Sequence, residues 1–316
     1  MFIKVKRITK EIYNDIFHPI LGVVYMFHRV IPKEHDRLTH FDNLSVTPEY
    51  FREFILSKQN KQDFISLNDL PGRLGRRIKR SEKPFALITF DDGYRDNYDY
   101  AFPILQQTNT PFTIFLTCNF IDNKRPFNYP FILERIIYNN SQLFLDGKCY
   151  RCVDMEQKNE VYKLLEKEVL TWKYEGFEDK FKTYFANYIN DDVYDDNMLT
   201  WEQVKEMQDC GLCDIGAHTM SHCRLSNLSI KELEYELGES KKIISQKIGK
   251  DIKCMSYPYG LSNDTNGNVF KVTKETGYDY SFLSYGGVIR KTPMDFFQIK
   301  RLYVFDGYRK FFNDLY

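Results

Sequence analysis

At 316 residues the chain can hold one large α/β barrel or two ordinary domains, with a sizeable core either way. Its 44 Lys and Arg balance 44 Asp and Glu, so no global field draws it to nucleic acid or to an anionic membrane. Seven cysteines, an odd number in a chain large enough for its own core, argue against a disulfide framework and for a reducing compartment. The expected location is the cytoplasm, free or peripheral to a membrane.

Residues 1–18 read as a short amphipathic helix, with Phe2, Val5, Ile8, Ile12 and Ile16 on one side. The apolar run 19–27 has no small-residue cleavage site after it, and no run approaches the roughly 18 residues of a membrane span; neither a signal peptide nor a transmembrane segment is expected. Residues 22–27 form a strand buried on both faces that ends at His28. Thr47-Pro48 opens a helix to about Lys58, residues 64–66 form a short strand, and a basic stretch follows (Arg73, Arg76, Arg77, Lys79, Arg80, Lys83) that reads as a solvated surface. Residues 85–90 are the most apolar strand, and they stop at Asp91-Asp92-Gly93. A helix at 97–107 and a strand at 112–116 complete the first half.

From 123 to 197 the strand-helix rhythm is lost, and this stretch reads as a mainly helical insertion ending in an acidic turn. Two Cys-x-x-Cys pairs, Cys149/Cys152 and Cys210/Cys213, lie too far apart for a four-cysteine zinc ribbon, whose usual spacer is about 15 to 20 residues. The rhythm resumes with a capping box at Thr200 and Gln203, a helix closed by Gly211, and a strand 214–217 that ends at His218. A second box at Ser229 and Glu232 opens a helix to Gly249. A strand 254–257 ends at Pro258-Tyr259-Gly260, then come a helix to about Thr276, a strand 280–283 and a last strand near 301–305. The alternation means α/β, and seven or eight units suggest a (β/α) barrel, whole or incomplete, as a single domain over 1–316.

In such barrels chemistry sits at the carboxyl ends of the strands. Here those ends carry His28, Asp91-Asp92, His218 and Pro258-Tyr259. Adjacent side chains at a strand end point apart, so Asp91 and Asp92 need not share a proton and can hold separate jobs. His218 and His222, four apart, can reach one ion. Zinc protease helices carry a glutamate after the first histidine, but this chain has Thr219, so a base must come from elsewhere. Two histidines and an aspartate suit one divalent ion: zinc first, with cobalt, nickel, manganese or iron compatible.

Thr89-Phe90-Asp91-Asp92-Gly93, His218-Thr219-Met220-Ser221-His222 and Tyr257-Pro258-Tyr259-Gly260, in that order, resemble the first three motifs of the polysaccharide deacetylases, the NodB homology or family 4 carbohydrate esterases. The resemblance implies a distorted (β/α) barrel and a metal-dependent hydrolase that removes acetyl groups from N-acetylated sugars. It implies Asp92, His218 and His222 as metal ligands, Asp91 as base, and the Tyr259 amide, within Pro258-Tyr259-Gly260, as oxyanion donor. The implied partners are an N-acetylated sugar, nucleotide sugar, lipid-linked glycan or polysaccharide, with surface polysaccharide assembly as the setting.

The family's third-motif arginine is replaced by Ser256, its fourth-motif aspartate and tryptophan are not recognisable, and no histidine follows His222. In the rearranged poly-N-acetylglucosamine deacetylases a strand-end histidine near the amino terminus serves instead, and His28 resembles it. Elimination agrees: His218 and His222 are committed, and His18, His35 and His40 fall outside strand ends, leaving His28 as the general acid. Arg301, opening the last expected strand, is the candidate replacement for the missing arginine. The alternatives are a catalytically inactive metal- or glycan-binding barrel and an O-acetyl esterase on the same site.

Overall fold

Seven apolar runs that cannot face water on either side bury one another by closing into a barrel. In barrel order these are β1 (Ile20–Phe27), β2 (Phe85–Phe90), β3 (Phe112–Leu116), β4 (Cys213–Ala217), β5 (Cys254–Ser256), β6 (Tyr280–Gly286) and β7 (Ile299–Tyr303). Each pairs in parallel with the next, and β7 pairs back onto β1. The computed structural model describes residues 19–305 except 34–37, 39–42, 75–81, 122, 124, 195–196 and 292–293. The expected helix at 1–18 and the middle of the basic stretch lie outside the described residues.

The barrel is complete, and its distortion lies at the amino-terminal ends of two strands. One edge of β1 gives Ile20–Val23 to the antiparallel strand Val288–Arg290 and only Tyr25 and Met26 to β7. Likewise β2 pairs Phe85 and Ala86 with the short strand Asp63–Phe64 before Ile88, Thr89 and Phe90 meet β3. Where β1 and β2 lie side by side, Gly22 faces Phe85, and a Cβ there would sit 2.4 Å from the Phe85 ring. Any side chain at 22 would drive this pair apart.

The helices follow their capping signals. Thr47 caps Pro48–Gln59, the Thr200/Gln203 box caps Trp201–Asp209, and the Ser229/Glu232 box caps Ile230–Ile248, which ends on the left-handed Gly249. The helix expected at 97–107 starts as a π turn, Asn97–Ala101, before becoming α over Phe102–Gln107. Pro103 lacks the N–H that would bond the carbonyl four residues back, which loosens that turn.

Among its described residues the insertion 123–197 combines three α-helices with one hairpin. Helices Tyr129–Asn139, Met155–Val169 and Phe177–Tyr184 enclose their own apolar cluster, but Gln142–Leu145 and Lys148–Arg151 form an antiparallel hairpin. Its two-residue turn is Asp146-Gly147, both with positive φ, the pairing that matches strand twist. Cys149 is exposed on this hairpin, Cys152 is buried beyond it, and both are free thiols. Among the described residues no helix is long and apolar enough to cross a membrane.

Candidate active site

Strand alternation aims the polar groups inward. Phe85, Leu87, Phe115, Cys254, Phe282 and Ile299 belong to the apolar cluster inside the barrel. Counting by two from them along each strand leads to Thr89 and Asp91, to Ser256 and to Arg301; from Val24 on β1 it leads to His28. The interior is therefore apolar at the bottom and polar at the carboxyl rim.

Arg301 is completely buried, and its guanidinium meets Asp91 in a fork: Nη1 to Oδ1 and Nη2 to Oδ2 are both 2.7 Å. Nε donates to the Leu283 carbonyl at 2.9 Å, Nη1 to Thr89 Oγ1 at 3.2 Å and Nη2 to Ser256 Oγ at 2.6 Å. Ser256 Oγ in turn donates to Asp91 Oδ2 at 3.2 Å. Burial alone would push the Asp91 carboxyl up, but the Arg301 charge, with His218 and the hydrogen bonds behind it, holds its pKa below the usual value. Arg301 thus reaches Asp91 from a different strand than Ser256 and binds both.

Asp92, His218 and His222 converge beside this pair. Asp92 Oδ1 lies 3.4 Å from His218 Nε2 and 3.3 Å from His222 Nε2, and it has no hydrogen-bond partner among the described residues. His218 Nδ1 lies 2.7 Å from the Ser256 carbonyl, to which it donates, so Nε2 presents its lone pair to Asp92 and His222. Burial, the largest influence, lowers the His218 pKa to about 4, so the ring is neutral near pH 7, as a metal ligand must be. One ligand atom from each residue lies within 4.8 Å of the others, and among the described residues this is the sole group of three or more such side chains able to share an ion. An orphaned carboxylate oxygen facing two imidazole nitrogens, all buried or nearly so, fits a divalent cation.

The backbone around these groups is strained. Among the described residues six non-glycines have positive φ, and four of them are Asp92, Thr219, His222 and Tyr259. Such conformations cost roughly 1–3 kcal/mol each and persist where the surroundings enforce them. Gly260 (φ 60°) must be glycine, since a Cβ there would lie 2.8 Å from the Ser284 amide nitrogen. Pro258-Tyr259-Gly260 therefore turns sharply after β5, and none of the described residues accepts from the Tyr259 amide.

His28 follows β1 at the level of Asp91, whose amide bonds the Phe27 carbonyl. Its ring meets Tyr303 edge-on at 5.6 Å, and its buried Nδ1 has no partner among the described residues. Burial lowers the His28 pKa, against the pull of Asp92 and Asp91. Next to His222 and Tyr259 opens a cavity of about 400 Å³, whose far wall is the insertion, through Phe127, Trp172, Tyr174 and Phe177. All nine residues singled out from the sequence thus lie at one rim. Sequence reading missed Ser256, which it counted only as a lost arginine although the residue serves His218 with its carbonyl and Asp91 with its hydroxyl. Its inward position two after Cys254 was the available signal.

A closed parallel barrel with carboxylates and imidazoles gathered at the carboxyl ends of its strands is the architecture of a barrel enzyme. The chain belongs to the polysaccharide deacetylase family, whose profile matches residues 78–281, and it has that family's seven-stranded barrel. YxkH of Bacillus subtilis (strain 168), itself named as a polysaccharide deacetylase, is 24% identical over 200 residues, which are 63% of this chain and 44% of YxkH. The chain thus spans less than half of that relative's length. Of solved structures, the Streptococcus pyogenes deacetylase PplD in complex with acetate superposes with a TM-score of 0.58 at 15% identity, over 90% of this chain and 92% of PplD. IcaB from Ammonifex degensii superposes with a TM-score of 0.57 at 20% identity, over 91% and 93%. These two show the shared fold.

Proposed function

We propose that the chain is a cytoplasmic, metal-dependent N-deacetylase of a sugar or glycan intermediate in surface polysaccharide assembly, with 1–316 as one catalytic domain. The observation that carries this reading is the orphaned Asp92 Oδ1 facing the Nε2 atoms of His218 and His222, one residue from a carboxylate clamped by Arg301. A divalent ion held by Asp92, His218 and His222, zinc in the first instance, would supply Lewis acidity, activating water and polarising the acetyl carbonyl.

Asp91 accepts the proton that water gives up, and Arg301 keeps it ionised and aimed while it waits. The Tyr259 N–H, held outward by the turn that Gly260 permits, donates to the oxygen on which negative charge develops. His28 delivers a proton to the departing amine nitrogen. The aromatic wall of Phe127, Trp172 and Tyr174 suits the apolar face of a pyranose ring, placing the acetamido group toward His222. Buried free thiols at Cys118, Cys152, Cys213 and Cys254 support a reducing compartment.

The test is acetate release by the purified chain from N-acetylhexosamine oligosaccharides and N-acetylated nucleotide sugars, with and without chelator. Release that stops with chelator and returns with zinc is expected. Release of ammonia, of acetate from O-acetyl esters alone, or turnover indifferent to chelator would overturn the reading.

A further inference from the structure

We infer that Glu236 is a positioning residue for the Asp92, His218 and His222 centre, and that through it the insertion becomes part of that centre; the inference rests on the metal reading above. Glu236 lies on the helix Ile230–Ile248 within the buried stripe of Leu233, Leu237, Ser240, Ile244 and Ile248, a place where a carboxylate is out of pattern. It is completely buried, and its partners among the described residues are two amides and two hydroxyls rather than a cation. Leaving a charge in such a place is unfavourable unless hydrogen bonds saturate it.

They do, and their sources are specific. Oε2 accepts from the Met220 N–H at 2.8 Å and the Ser221 N–H at 3.0 Å. Oε1 accepts from Ser221 Oγ at 2.6 Å and from the Tyr174 hydroxyl at 2.5 Å. Met220 and Ser221 are the middle of the loop whose two ends are His218 and His222. Two consecutive amides turned onto one anionic oxygen form a small concave cradle, and Glu236 fills it from within the protein. The residues flanking this cradle are Thr219 (φ 69°) and His222 (φ 55°).

A β-branched residue such as Thr219 enters the left-handed region only when held there. Glu236 supplies the hold, so its carboxylate sets where His222 Nε2 stands relative to Asp92 Oδ1. Tyr174 belongs to the insertion and lines the cavity beside His222. Its hydroxyl fixes the second oxygen of Glu236, and burial beside this carboxylate raises the Tyr174 pKa, keeping the hydroxyl a donor. The insertion thus reaches the metal-binding loop through Tyr174 and Glu236.

The experiment measures zinc affinity of the purified chain by competition with a chromophoric chelator, for wild type, Glu236→Gln, Tyr174→Phe and Leu237→Ala, with the melting temperature of each. In Glu236→Gln the negative charge on the two amides is lost and the Ser221 and Tyr174 hydroxyls must turn from donating to accepting, and zinc binding is expected to weaken about 10- to 100-fold, the range for supporting groups behind metal ligands. Tyr174→Phe, on a half-buried side chain, should weaken it by a smaller factor while the melting temperature barely moves, which keeps the inference testable if Glu236→Gln does not fold. Leu237→Ala, in the core beside Glu236, should lower the melting temperature and leave zinc affinity unchanged.

If Glu236→Gln and Tyr174→Phe bind zinc like wild type, or Leu237→Ala weakens it as much, Glu236 only stabilises its helix and the inference is overturned. A wild-type chain that binds no zinc, cobalt or manganese overturns the metal reading itself.

Discussion

Replacing Arg301 by methionine keeps a long side chain in the barrel interior and removes its charge. The side chains of Arg301 and Asp91 are 0% and 3% exposed, so water cannot take the cation's place. Losing one partner of a buried ion pair costs about 3–5 kcal/mol, since the other is left charged in a poorly polarisable surrounding. The same substitution strands the Leu283 carbonyl and leaves Ser256 Oγ as the sole side chain still bonded to Asp91. The loss at pH 7 should therefore reach that full range.

Its pH dependence gives the sharper check. In wild type the Asp91 pKa lies below its ordinary 3.8, so the stability it contributes is present above 3.8 and fades as pH falls through the folded value. In Arg301→Met burial acts without a cation and lifts the pKa above 3.8; Asp91 then opposes folding near neutrality, and the penalty is relieved as pH falls through the raised value. The gap between the two proteins should be widest near pH 7 and narrow toward pH 4.5, as read by urea unfolding of metal-free samples. Asp91→Asn added to Arg301→Met should recover much of the loss. A gap below about 1 kcal/mol at pH 7, or one equal at both pH values, would refute the reasoning.

His222→Ala should lose the bound divalent ion, measured by elemental analysis, with its circular dichroism unchanged, because His222 lies in a loop after β4 rather than in the core; full ion content would dismiss it as a ligand. His28→Ala should lower turnover of an N-acetyl substrate about 10²- to 10⁴-fold at constant metal content, and much less for a phenyl acetate, whose leaving group needs no proton. Because burial lowers the His28 pKa from 6.5, the alkaline limb of kcat/KM should begin below 6.5 in wild type and vanish in the variant; a limb that survives unchanged would point to another acid. Metal-free protein should lose stability as pH falls from 6.5 toward 4, by up to about 1.4 kcal/mol per pH unit for each buried neutral histidine, since the unfolded chain binds the protons that His218 and His28 refuse. A flat unfolding free energy between pH 6.5 and 4.5 would contradict those burials.

The rim was legible because the alternation of strands and helices locates the strand ends, where the chemistry of such barrels sits. That is why Asp91 and His28 could be named without coordinates; Arg301 is legible only as the arginine opening an expected strand near 301–305, whereas the strand spans Ile299–Tyr303 and Arg301 lies inside it. Closure itself was not legible, because it depends on β7 meeting β1 over two residues, Tyr25 and Met26. The hairpin at 142–151 carried a clear signal in Asp146-Gly147 that the surrounding Lys, Glu and Tyr concealed. Glu236 could have been suspected as an acid inside an apolar helical stripe, but its partners Met220, Ser221 and Tyr174 come from distant segments, and no local pattern names them.

Arg301 and Asp91 stand 210 positions apart, and synthesis delivers them in that order. At roughly 5–20 residues per second, about 10–40 seconds separate the emergence of the acid from that of its cation. Throughout that interval the rim holds an aspartate that cannot ionise in a finished interior, so the first barrel strands gain little by packing tightly around it. Arg301 comes late, and a nascent chain that collapses ahead of it leaves Asp91 unpaired. The order of strands thus ties the pairing of this buried acid to the arrival of β7.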